Sequence, residues 1–91
     1  MKSEAQHPWI TPMAAFLLAV EFRTISDQQR DPDIRTVLQQ TSTSWLRKCS
    51  HSLPLARQHL ALHHLFGLGV ERNIQSAINL FSIDANWSNT S

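Results

Sequence analysis

The chain predicts an all-α fold, with four helices forming two antiparallel helical hairpins stacked on one another. Three observations carry this. Prolines suited to helix starts stand at Pro12, Pro32 and Pro54, the first two directly after the capping residues Thr11 and Asp31. Proline is tolerated at a first helical position because the amide it lacks would have no partner there. Apolar residues between these starts recur at helical spacing, and a Gly67-Leu68-Gly69-Val70 turn joins the last two such stretches.

The first helix is expected from about Pro12 to about Ser26, with Met13, Phe16, Leu17 and Val20 on its buried face and Phe22 and Ile25 extending that face. A polar turn, Asp27 to Arg30, leads to the second helix, where Asp33 adds negative charge at the positive end of the helix dipole. Ile34, Val37, Leu38, Thr41 and Trp45 make its expected buried stripe, with Trp45 in the core. The run Thr41-Ser42-Thr43-Ser44 is a poor helix former, because such hydroxyls compete for backbone groups, so a bend or break is expected there.

Cys49 to Ser52 connects to the third helix, which starts at Pro54 and places Leu55, Ala56, His59, Leu60, His63 and Phe66 near one face. Gly67 falls where that helix runs out, a place that favours positive φ and hence a residue without Cβ. Gly69 lets the turn backbone pass close to its neighbours, and Val70 is placed to tuck over the hairpin. Asn73 is the expected N-cap of the fourth helix, whose stripe is Ile74, Ala77, Ile78 and Phe81, with Ala77 small enough for a close helix crossing. The whole of 1–91 reads as a single domain, with 1–10 and 86–91 as flexible ends and Trp9 and Trp87 capping the two ends of the stack.

The pattern Ala56-x3-Leu60, Gly67-x-Gly69-Val70, then Asn73-x3-Ala77-x2-Leu80-Phe81-x3-Ala85 resembles the Sel-like repeat, a relative of the tetratricopeptide repeat. Residues 56–85 would be one diverged copy. The family pattern usually has Gly, Leu and Tyr where this chain has Ala61, His63 and His64. It often has Asp at Asn73, a basic residue at Ser76, Trp at Leu80 and Ala at Asp84. A fainter echo places Pro12, Ala14, Leu18, Ala19 and Asp31 opposite Pro54, Ala56, Leu60, Ala61 and Asn73, so 12–47 is a candidate degenerate copy without the glycine turn. The resemblance implies a non-catalytic module that scaffolds protein complexes: a small adaptor or co-chaperone holding a helix or peptide of a partner, in a secretion or assembly complex. Trp9, His63, His64 and Trp87 are the partner-facing residues on that reading.

Composition narrows the alternatives. A chain of 91 residues buries only about two-thirds of its unfolded surface, so its stability is modest. Eight Lys and Arg against seven Asp and Glu give a net charge of +1, without the basic cluster that nucleic acid or an acidic membrane surface would demand. The single cysteine, Cys49, forms no internal disulfide, which fits a reducing compartment such as the cytoplasm. The longest apolar run, Met13 to Val20, is too short to span a bilayer and makes a poor signal peptide.

Chemistry is sparse. No phosphate loop, nucleophile elbow or helical carboxylate pair occurs, and no catalytic residue or cofactor is indicated. His59 and His63 share a helix face and form the alternative reading, a zinc site completed from elsewhere, with Cys49 and His51 just upstream. No glutamate lies between them as in a metalloprotease helix. A second alternative is a self-associating regulatory homodimer, whose open repeat edges meet each other.

Overall fold

The computed structural model describes residues 11–89, with side-chain environments given as far as residue 83. Four helices occur in this range and no strand: α1 (Pro12–Asp27), α2 (Pro32–Cys49), α3 (Pro54–Phe66) and α4 (Ile74–Asn89). α1 packs on α2 and α3 on α4, giving the two expected hairpins, and the pairs meet where α3 lies against α2.

Local chemistry places the helix starts as the sequence predicts. The Thr11 hydroxyl accepts from Ala14 N at 3.1 Å, and Asp31 Oδ1 accepts from Asp33 N at 2.9 Å, each satisfying an amide with no partner inside its helix. Asn73 Oδ1 does the same for Ser76 N at 3.0 Å. Gly67 ends α3 with φ 70°. α4 extends to Asn89, into the segment read from sequence as a flexible end. Trp9 and the side chain of Trp87 lie outside the described residues.

The Thr41 to Ser44 run does not break α2. Thr41 donates to the Val37 carbonyl, one turn back, at 2.9 Å, and the Thr43 hydroxyl lies 3.0 Å from that of Gln39. Ser42 donates instead to Ala19 O of α1 at 2.7 Å. The hydroxyls therefore supplement the helical bonds rather than replace them.

Several expected core faces are rotated. Phe16 is buried and Val20 packs at the core edge, but Met13 and Leu17 are exposed, and Ala15 and Ala19 are buried in their place. In α2, Ile34 and Val37 are exposed, and Ser42, Thr43, Leu46 and Cys49 fill the core side; Trp45 is half-buried at its edge. Ala56 and Leu60 of α3 are buried as expected, whereas Leu55 and Phe66 are exposed. In α4 only Ala77 of the expected stripe is buried; Ile74, Ile78 and Phe81 face outward, and Leu80 packs against the core instead. The same cause operates throughout. Helices that cross closely do so over small residues, here Ala15, Ala19, Ser42, Ala56, Ala61 and Ala77, and each such crossing turns the bulkier neighbours on the helix away.

The faint echo between the two halves is uneven: Asp31 and Asn73 both cap a helix and Ala19 and Ala61 are both buried, whereas Thr11 caps α1 by its side chain and Leu53 before α3 does not. Leu18 is 37% exposed where its counterpart Leu60 is 6% exposed.

Candidate functional site

Two places combine unusual chemistry with defined geometry: the seam between the hairpins and the outer face of α4. The seam is built on α3, whose sequence holds three histidines and no carboxylate.

His63 is 1% exposed, so it is an internal tie and cannot face a partner as its sequence position suggested. Its ring Nδ1 stands 2.6 Å from the Thr43 hydroxyl of α2. That hydroxyl also lies 2.9 Å from Leu68 O and 3.0 Å from Gln39 O. Carbonyls only accept, so the single hydroxyl proton goes to one of them, and the ring donates to the hydroxyl oxygen. This assigns the neutral ring its proton on Nδ1. Thr43 thus joins helix α2, helix α3 and the turn that follows α3.

The turn is pressed onto α2 beside this contact. A Cβ on Gly69, whose φ is 71°, would lie 2.5 Å from the Gln39 carbonyl carbon and from the Gln40 nitrogen. Only glycine fits that approach. Gly67 has more room, its nearest neighbour being Arg72 Cβ at 3.3 Å from such an atom. Leu68 N and Asn73 N donate back to the carbonyls of His63 and His64, both at 2.8 Å, which closes the turn. Val70, half-buried, lines an open groove of about 380 Å³ with Thr36, Gln39, Gln40, Gly67, Gly69 and Glu71.

Of the other two histidines of α3, His59 faces the first hairpin. His59 meets the Phe16 ring edge-on, with centroids 5.0 Å apart. His64 is half-buried, and its Nδ1 is enclosed with no hydrogen-bond partner among the described residues. All three have lowered proton affinity. Burial pushes His63 down to about 4, reinforced by the Arg23 guanidinium of α1 and only partly opposed by the Leu68 carbonyl. Burial and then Arg23 lower His59; burial and then Arg47 of α2 lower His64. Arg23 itself reaches Asp27 at 3.6 Å on the surface of α1, a contact that stabilises little.

His59 and His63 are the ligands named by the zinc alternative, to be completed from elsewhere. Among the described residues no group of three His, Cys, Asp or Glu converges. Cys49 is buried in the core with its thiol 3.3 Å from the Trp45 carbonyl and 3.6 Å from that of Leu46, and His51 is exposed.

The outer face of α4 is the second feature. Ile74, Ile78 and Phe81, at spacings of four and three, are 46%, 50% and 38% exposed and form one apolar stripe. From Ile74 to Ile83 the helix holds no ionisable residue. No helix among the described residues is long and apolar enough to cross a membrane.

Sequence reading singled out His63, Gly67, Gly69, Asn73 and Ala77, and the structure brings the first three together with Thr43 at the seam. It missed Thr43 and Arg23. The only signal for Thr43 was a hydroxyl cluster that also reads as a helix breaker, and Arg23 carried none. No family model, curated protein or solved structure matches this chain.

Proposed function

We propose that this chain is a non-catalytic protein–protein interaction module, a small adaptor or co-chaperone of the cytoplasm that receives an amphipathic helix of a partner protein, in a secretion or assembly complex. The observation that carries this reading is the stripe Ile74, Ile78 and Phe81. A solvent-facing helix ordinarily bears charge on its outer side, and contiguous apolar surface on a small chain marks interaction sites. Anchors at i, i+4 and i+7 are the spacing by which one helix reads another. The resemblance of residues 56–85 to a Sel-like repeat supports the same reading, because repeats of that kind need a neighbour on their open face.

The test compares the parent chain with Ile78→Lys, which should melt at the parent's temperature because Ile78 is already half exposed. Cross-linking in the native host should attach a partner to the parent and lose it in the variant, with Glu21→Lys on α1 as a control that retains it. The same partner recovered with both variants would remove α4 from the interface.

A homodimer through the same face is the second reading, favoured by the lack of charge along the exposed part of α4, which lets two copies meet without like-charge repulsion. Mass measurement of the isolated chain separates the two: a dimer that Ile78→Lys converts to monomer supports self-association, and a monomeric parent rules it out.

A further inference from the structure

We propose that the groove between α2 and the turn after α3 receives an arginine side chain of a partner polypeptide. The groove holds about 380 Å³, and its polar lining comes from Thr36, Gln39 and Gln40 of α2 and Glu71 of the turn. None of the lining residues is a cation, and none belongs to α4, so the site is separate from the apolar stripe.

The lining is rich in acceptors that nothing else uses. Among the described residues, no hydrogen bond or ion pair engages the side chains of Gln39, Gln40 or Glu71. The Thr36 hydroxyl donates to Pro32 O at 2.9 Å, so it offers the groove only lone pairs. A carboxylate likewise only accepts, and each glutamine carries a carbonyl oxygen. Charge points the same way. Asp33 stands one turn before Thr36 on the same side of α2 and adds a second negative group there. The two cations that adjoin the lining in sequence are engaged elsewhere: Arg35 Nε and Nη2 donate to Gln29 O at 3.1 and 2.6 Å, and Arg72 Nε donates to Leu65 O at 3.0 Å.

The group that suits such a lining is a cation with many donors. A guanidinium meets a carboxylate through two parallel N–H bonds and has further N–H groups for the neighbouring oxygens, whereas an ammonium is a compact point charge with three. The walls are already in place. Gly69 rests so closely on α2 that a Cβ there would lie 2.5 Å from the Gln39 carbonyl carbon, and Leu68 N and Asn73 N tie the turn back to α3 at 2.8 Å. A preformed groove lowers the ordering cost of binding.

The test is an NMR titration of the full chain with N-acetyl-L-argininamide through the millimolar range, followed at the backbone amides of Gly67, Gly69 and Glu71 and the side-chain amides of Gln39 and Gln40. Saturating shifts at these positions are expected. Glu71→Gln, at an exposed position, should weaken binding about tenfold, the usual scale for losing a charged hydrogen-bond partner. Glu21→Gln removes the same charge from the exposed side of α1 and should bind like the parent. The citrulline counterpart, of the same shape without the charge, and the lysine counterpart should both bind more weakly. Shifts that never saturate would overturn the proposal, as would an equal response to citrulline or lysine, or a Glu71→Gln variant that binds like the parent. Free L-arginine binding more tightly than the blocked compound would overturn a polypeptide as the source.

Discussion

Gly69 and Gln39 touch backbone to backbone: the turn after α3 settles on α2 so closely that a methyl group on Gly69 would stand 2.5 Å from the Gln39 carbonyl carbon. Because the contact is between main chains, no rotamer change can relieve an added side chain. The two glycines of the turn should therefore respond differently to the same substitution. Gly69→Ala combines left-handed strain with overlap and should cost about 3 kcal/mol. Gly67→Ala, with φ 70° and more room, should cost about 1 kcal/mol, the strain alone. Urea unfolding of both variants checks the order, and equal losses would mean that the turn can lift off α2.

Thr43 serves three groups through one oxygen. Thr43→Val keeps the shape and leaves the buried Nδ1–H of His63 without an acceptor, so it should lose about 1–3 kcal/mol. Thr43→Ser retains the hydroxyl and should recover most of that. A valine variant as stable as the parent would mean that the Thr43–His63 hydrogen bond contributes nothing to the fold.

Stability should fall on the acid side of neutrality. The three histidines of α3 bind protons less readily when folded than their ordinary value of 6.5. As pH drops below about 6.5 the unfolded chain takes up protons that the fold refuses, and stability declines until the folded pKa is reached, about 4 for His63. For a ring this deeply buried the shift corresponds to about 3 kcal/mol across that window. Above pH 7 the contribution is complete and the curve should be flat. Melting temperatures measured from pH 8 to pH 4 check the sign, and a protein more stable at pH 5 than at pH 7 would contradict it.

Ala77 is buried where α4 packs on α3. Ala77→Trp forces a large ring into that crossing and should cost on the order of 1–3 kcal/mol or more. Thermal denaturation checks this, and a variant that melts with the parent would move Ala77 out of the crossing.

Cys49 is sealed in the core, and burial raises its thiol above the usual range. It should resist a disulfide reagent at pH 8 in the native protein and react at once in urea. Fast labelling of the folded chain would show that the end of α2 opens readily.

The features legible in the sequence were those set by a few adjacent residues. Thr11-Pro12, Asp31-Pro32 and Asn73 start helices because a side-chain oxygen reaches amides within three residues, and Gly67 ends one because the left-handed conformation costs glycine little. The helices, their caps and the turn follow from chemistry of that range. Which face of each helix is buried does not. Met13, Leu17, Ile34 and Ile78 are apolar enough for a core, yet Ala15, Ala19, Ser42 and Ala77 occupy it, since the distance at which two helices cross is a property of the pair. The meeting of Thr43 and His63 belongs to the same class: residues on two helices become one site only when the hairpins close on each other.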